Sequence, residues 1–248
     1  MVDQGDRGVF LVTGGSRGIG AAIARDAAKA GYHVLLTYAG RANMAAAVVD
    51  AIRAEGGRAQ AVQADTGVAG DITTLFAAVD QVGPLAALVY NGGIVGESST
   101  LVDASDDLLA KVVDVNLTGA LLCAREAVRR MSTANGGGGG SIVLISSRAA
   151  LYGAPGEHVW YAATKGGVDS LVLGLAREVA PQGIRVNAVS PGPIDTEIHV
   201  PGKLDRIASA LPMRRAGQPE EVSAAVMFLV SDAASYVAGA NIAVAGAR

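Results

Sequence analysis

The chain has 248 residues, half of them hydrophobic and 17% charged, with a formal net charge of −3. That length and apolar content support one sizeable core and exclude global disorder, and the slightly acidic balance points away from nucleic acid or a membrane surface as partner. The single Cys123 excludes an internal disulfide framework and a cysteine-cluster metal site. In order along the chain, GVFLVTG (8–14) reads as a buried strand and IGAAIARDAAKAG (19–31) as a helix ended by Gly31. YHVLLTY (32–38) is the second strand, 42–55 a helix, RAQAVQAD (58–65) the third strand and 69–81 a helix. LAALVYN (85–91) is the fourth strand, followed by a long helix over about 105–131. SIVLISS (141–147) is the fifth strand, 159–179 a helix and IRVNAVSP (184–191) the sixth strand. A helix over about 219–231 and a strand near 241–245 close the pattern.

Unbroken apolar strands alternating with helices predict a parallel sheet covered on both faces. With right-handed crossovers this is an α/β fold: a single domain over 1–248, a Rossmann-type doubly wound parallel sheet of about seven strands. NGGGGGS (135–141) reads as a flexible connector, because no Lys-Ser or Lys-Thr follows to make it a phosphate loop. Cys123, in LLCAREAV, reads as a small buried hydrophobe. The polar start MVDQGDRG lacks an apolar signal core, and no run reaches the ~18 apolar residues of a membrane span. A soluble, cytoplasmic protein is the expectation.

TGGSRGIG (13–20) follows the first strand and opens the first helix. Gly14 permits a tight turn, Gly18 lets backbone approach a pyrophosphate, and Gly20 lets the helix pack closely. The spacing is G-x-x-x-G-x-G; a purely structural turn and a methyltransferase loop are the rival readings. An NAD site usually carries an acid at the end of the second strand for the ribose 2′-hydroxyl. Here that end reads Thr37, Tyr38, Ala39, Gly40, Arg41, with Arg17 inside the glycine turn. Two guanidinium groups and a hydroxyl suit a 2′-phosphate, so NADP(H) is expected over NAD(H), unless Arg41 merely starts a solvated helix. Asp65 is a candidate for the adenine amino group or a turn cap, and Asn91, Gly92 and Gly93 end the fourth strand as a ribose wall or a plain turn.

Tyr161 and Lys165 in VWYAATKGG lie one helical turn apart on one face. Alone, the pair is as compatible with a solvated surface as with a site. Asn116 in VNLTG places a polar group in an apolar helix, and Ser146 and Ser147 end the fifth strand. Reducing a carbonyl with a nicotinamide needs a proton donor and a group that polarises the carbonyl. Tyr161 suits the first role and Ser147 the second, with Lys165 favouring tyrosinate. Moving a tyrosine from pH ~10 to ~7 takes about 4 kcal/mol, and a cation ~4 Å away at an effective dielectric of ~20 supplies that order.

TGGSRGIG, Asp65, YNGG, VNLTG, LISS, YAATK and SPGPIDT, with the tail PMRRAGQPEEVSAAVMFLVSDAASYVAGANIAVAGAR, resemble the short-chain dehydrogenase/reductase family over nearly the whole chain. The likeness extends to 3-oxoacyl-[acyl-carrier-protein] reductase-like and glucose dehydrogenase-like members. It implies a catalytic set of Asn116, Ser147, Tyr161 and Lys165, with Asn116 holding a water in a proton relay to Lys165. It implies cofactor contacts from Gly14, Ser16, Arg17, Gly18, Ile19, Gly20, Thr37, Arg41, Asp65, Thr66, Asn91, Gly92, Gly93, Tyr161, Lys165, Pro191, Gly192, Ile194 and Thr196, and no metal. The Ile194 backbone and Thr196 would meet the carboxamide. Residues 195–210, with Pro201 and Gly202, would form a lid, and members are commonly homotetramers.

Three departures stand out. Tyr90 and Gly92 replace Asn and Ala in the usual Asn-Asn-Ala-Gly, the Ser147-to-Tyr161 loop is slightly long, and Pro193 stiffens SPGPID. The expected activity is NADPH-dependent interconversion of a carbonyl and a secondary alcohol. The alternative is a non-catalytic dinucleotide-binding scaffold or redox-sensing regulator. Arg148, Tyr152, His158, Trp160, Ile194 and His199 are the expected pocket residues, and they select no single substrate. Arg129 and Arg130 either dock an acidic carrier protein or form a solvated face.

Overall fold

The computed structural model describes residues 7–197 and 202–248. Seven strands, β1 (Val9–Val12), β2 (His33–Tyr38), β3 (Arg58–Gln63), β4 (Leu85–Tyr90), β5 (Gly140–Ile145), β6 (Ile184–Pro191) and β7 (Asn241–Val244), form one sheet in the order β3-β2-β1-β4-β5-β6-β7. Every pairing is parallel. The chain winds outward from β1 to β3, then returns beside β1 with β4 and winds the other way. That reversal opens a crevice at the carboxyl ends of β1 and β4.

Strand residues alternate between two cores. Phe10, Val12, Val34 and Leu36 pack under α1 (Gly18–Lys29), α2 (Ala42–Ala54) and a later helix over Pro219–Val230. Val9, Leu11, Leu35 and Leu88 face α3 (Ala69–Val82) and the helices that follow β4 and β5. Burial on both faces explains why the inner strands are continuous apolar runs. Gly31, at φ +92, stands just past the end of α1 as the sequence predicts.

The long helix expected over 105–131 is split. α4 (Asp106–Val113) runs into a single π-helical stretch, Asp114–Thr118, and then α5 (Gly119–Met131). In the widened turn Gly119 N–H reaches back to Asp114 O. A short α6 (Ala149–Tyr152) precedes α7 (Val159–Val179), α8 (Lys203–Ala208) lies in the segment expected as a lid, and Pro219–Val230 is α9.

Part of NGGGGGS, expected as a flexible connector, is packed. Gly139 N–H bonds Met131 O and Gly140 N–H bonds Gly183 O, and a Cβ at Gly137 would collide with Arg130 O. Gly137, Gly139 and Gly140 stand where backbone meets backbone, while Gly136 and Gly138 face open space. Across the sheet, Arg185 on β6 caps the C-terminus of α9, donating to the carbonyls of Leu229 (2.5 Å), Val230 (3.1 Å) and Ser231 (3.3 Å). Among the described residues no helix is long and apolar enough to cross a membrane.

Candidate active site

At the crevice, β1 ends in Thr13, fully buried, whose Oγ1 accepts from the N–H groups of Asn91 (3.0 Å) and Gly92 (2.9 Å). Asn91 Nδ2 returns the link, donating to Thr13 O (3.1 Å) and Gly14 O (3.0 Å). Gly14, at φ +63, makes the turn. A Cβ on Gly20 would collide with Gly14 O, so α1 abuts the turn only because Gly20 lacks one. Asn91 therefore braces the glycine turn with its side chain. The sequence reading missed Thr13, although it stands at the head of TGGSRGIG.

The first turn of α1 has no side-chain cap and no acid. It lines a cleft of about 530 Å³ together with Ser16, Arg17, Gly18, Arg25, Met44 and Thr196, among others. An uncapped helix start at the switch point fits the diphosphate of a dinucleotide. Ile19 is partly buried against the core. Thr196 lies across the turn, its Cγ2 3.1 Å from where a Gly18 Cβ would be, so its place is at the diphosphate cradle. Arg41 precedes α2, with Nη1 3.7 Å from Met44 Sδ. Arg25 was not anticipated; it sits two turns beyond Gly18 on α1 and shares the cleft.

Several expected contacts turn inward. Thr37 is buried, and its Oγ1 accepts from Gly14 N–H at 3.0 Å, so it supports the turn from below rather than offering a hydroxyl to the ribose. Asp65 Oδ1 accepts from Gly67 N–H at 2.9 Å, which is the turn-capping alternative, and Thr66 Oγ1 is bonded by Tyr90 at 3.0 Å. Gly192 N–H bonds Val244 O on β7, while Pro191 O accepts from Arg148 N–H. Ile194 is 2% exposed in the core, so it is no wall of a substrate pocket.

The four chemical residues converge at the ends of β4 and β5. The Tyr161 hydroxyl adjoins Ser147. Lys165 is 3% exposed, donates from Nζ to Ile145 O at 2.7 Å, and lies 5.7 Å from the centre of the Tyr161 ring. A Cβ on Gly93 would be 3.5 Å from both Lys165 Nζ and Asn116 Oδ1, so the absent side chain opens the space between them. Burial raises the Tyr161 pKa and Ser147 opposes that. Burial lowers that of Lys165 to about 8, with Asp169 opposing. In the protein alone, burial thus favours the protonated hydroxyl, against the tyrosinate that Lys165 is expected to favour.

Asn116 is fully buried on the π turn. Its Oδ1 accepts from Ile94 N–H (2.8 Å), and its Nδ2 donates to Ile94 O (2.9 Å) and Thr164 Oγ1 (3.2 Å). Both amide hydrogens are committed, to the loop after β4 and to Thr164, while Oδ1 keeps a second acceptor position.

Tyr90 explains one departure. Its hydroxyl donates to Val115 O, the carbonyl that loses Gly119 N–H when the helix widens. A Cβ on Gly119 would meet that hydroxyl at 2.5 Å, so Gly119 is required as well. Tyr90→Phe should cost about 1–3 kcal/mol, by leaving a buried carbonyl unpaired. A lower urea midpoint at unchanged m would register it.

Around the mouth, Trp160 is 5% exposed and its Nε1 donates to Val95 O at 2.9 Å, with its ring edge-on to His158. It latches the β4 loop and is not a pocket wall. Arg148 is drawn to Arg248 O (2.8 Å) and stacks on the half-exposed Tyr152. The lid segment is clipped at its base by Asp195 N–H to Gly217 O and Gly217 N–H to Pro193 O. His199 and Pro201 lie outside the described residues. Arg129 pairs with Glu126 and Arg130 makes two bonds to Asp80, so neither is held ready for an acidic carrier. Cys123 is buried with its thiol pushed up to about 12.

Comparison with known proteins agrees with this arrangement. Residues 14–246 match the family model described as Enoyl-(Acyl carrier protein) reductase. Uncharacterized oxidoreductase YgfF of Escherichia coli (strain K12) is 48% identical over 245 residues, covering 97% of this chain and 99% of that protein. The 3-oxoacyl-[acyl-carrier-protein] reductase of Synechocystis sp. is 39% identical, covering 96% and 95%. The crystal structure of a short chain dehydrogenase from Burkholderia cenocepacia J2315 in complex with NADP superposes with a TM-score of 0.90 at 33% identity, covering 98% of both chains. With the glycine turn at the switch point and Tyr161, Lys165 and Ser147 gathered beside it, the chain belongs to the short-chain dehydrogenase/reductase family, as an oxidoreductase acting on CH–OH and C=O groups.

Proposed function

We propose that this protein is an NADPH-dependent reductase that interconverts a carbonyl compound and a secondary alcohol, with Tyr161 as the acid/base. The observation that carries the reading is that Tyr161 stands beside both Ser147 and the buried Lys165. Bound at the glycine turn, the nicotinamide cofactor supplies or accepts the hydride. The protein's part is to hold the substrate oxygen between the Ser147 and Tyr161 hydroxyls and to deliver the Tyr161 proton to it as alkoxide character develops. Burial keeps that proton on Tyr161 at neutral pH, which suits reduction. Lys165 places a cation beside the tyrosinate left behind. Asn116 and Trp160 fix the loop that carries Gly93 past the site.

Arg17 at the cleft and Arg41 at the head of α2, with no acid at the end of β2, support NADPH over NADH. Arg17→Ala and Arg41→Ala should each raise the KM for NADPH about tenfold, the worth of roughly one charged hydrogen bond, and leave that for NADH nearly unchanged. Steady-state kinetics with both cofactors over a panel of ketones and aldehydes tests the whole reading. A preference for NADH would overturn the cofactor assignment. Absence of Tyr161-dependent oxidation of either cofactor would leave the dinucleotide-binding scaffold. Half-exposed Leu121 on α5 and Leu173 on α7 support a homotetramer, which sedimentation velocity would check.

A further inference from the structure

Asp169 follows Lys165 by one turn of α7 and Tyr161 by two, so all three share a face. Its Oδ1 accepts from Asn241 Nδ2 on β7 at 2.8 Å. Ser146, just past the end of β5, donates its hydroxyl to Lys165 O at 3.3 Å. Asp169 thereby ties α7 to β7, and Ser146 ties the same turn of α7 to the end of β5.

The groups set against Lys165 from other elements are uncharged: Ile145 O on β5, Gly93 after β4 and Asn116 on the π turn. Arg185, on β6, is at the far end of its strand, capping α9. Among the described residues, the titratable groups beside the ammonium are Tyr161 and Asp169, on its own helix. We propose that Asp169 is a positioning residue for Lys165, pinning the catalytic helix to β7 and providing the counter-charge one turn from the buried ammonium. The proposal rests on the reductase reading above for its catalytic consequence, and on the shared helix face and the Asn241 bond for the pairing.

The sign follows from burial. Desolvation pulls the Lys165 pKa down to about 8 and Asp169 works against it. Burial raises the Asp169 pKa, while Ser146, Lys165 and Asn241 hold it down. Removing the carboxylate therefore lets Lys165 lose its proton at lower pH. Asp169→Asn keeps an acceptor for Asn241 and removes only the charge.

The lysines of the chain are Lys29, Lys111, Lys165 and Lys203. The Cε resonance of Lys165 can thus be followed by carbon-13 NMR of lysine-labelled full-length protein, assigned by its loss in Lys165→Arg. In Asp169→Asn its titration should move down by about 1 pH unit, and the high-pH limb of kcat should move with it. Superimposed titrations would overturn the proposal. If no carbonyl substrate is reduced at all, the reductase reading fails while the NMR titration still decides the pairing. Should Asp169→Asn not fold, the native Lys165 signal should show a second, smaller inflection where Asp169 titrates, and its absence would overturn the proposal equally.

Discussion

Tyr161→Phe should lose about 10²- to 10⁴-fold in kcat, the usual worth of a positioned general acid, while NADPH still binds. The hydroxyl adjoins Ser147, and its ring centre lies 5.7 Å from the Lys165 ammonium. Removing it leaves the ring, the helix and the glycine turn in place. Lys165 keeps its bond to Ile145 O, and Asn116 keeps Ile94. Steady-state turnover on a reducible ketone, with NADPH fluorescence titration on the same samples, separates chemistry from binding. An unchanged kcat in the Tyr161→Phe variant would remove Tyr161 from the mechanism. A parallel loss of NADPH binding would make it a cofactor contact instead.

Gly20→Ala should act on the other half of the site. The added Cβ would collide with Gly14 O and stand 2.6 Å from Asn91 Nδ2. The first of these is backbone and the second is itself bonded to the turn, so neither yields cheaply. α1 must retreat from the turn, which costs about 1–3 kcal/mol of stability as overpacking. NADPH affinity should fall about tenfold or more, since about 1.4 kcal/mol is a factor of ten, because the α1 N–H groups no longer converge on the turn. Thermal melting and NADPH titration measure the two effects together. Unaltered affinity would show that the cradle does not depend on this contact.

Much of this was legible beforehand. The apolar runs revealed the inner strands, since burial on both faces leaves no room for polar alternation, and α7 spans the residues that its sequence pattern predicts. That Tyr161 and Lys165 share a face was legible from their one-turn spacing, while the reading of the pair as a site came from Asn116 and Ser147 at their places in the strand order. The helix 105–131 was read as continuous. Its widening depends on the Tyr90 hydroxyl, which arrives from β4, 25 residues away, and no local propensity records that.

By itself the sequence determined the order of elements and the glycine turn at the end of β1, and it named the four candidate catalytic residues. Those follow from periodicity and from residue chemistry. The tertiary structure decided how each polar atom is used. Asn91 braces a turn 78 residues earlier, Thr37 supports the same turn from beneath, and Asn116 holds Ile94. It also set the surroundings of Tyr161 and the direction of the Lys165 ammonium, which are properties of the packed site. A hydrogen bond needs a partner at about 3 Å, and in a parallel sheet that partner is chosen by neighbouring strands far apart in the chain.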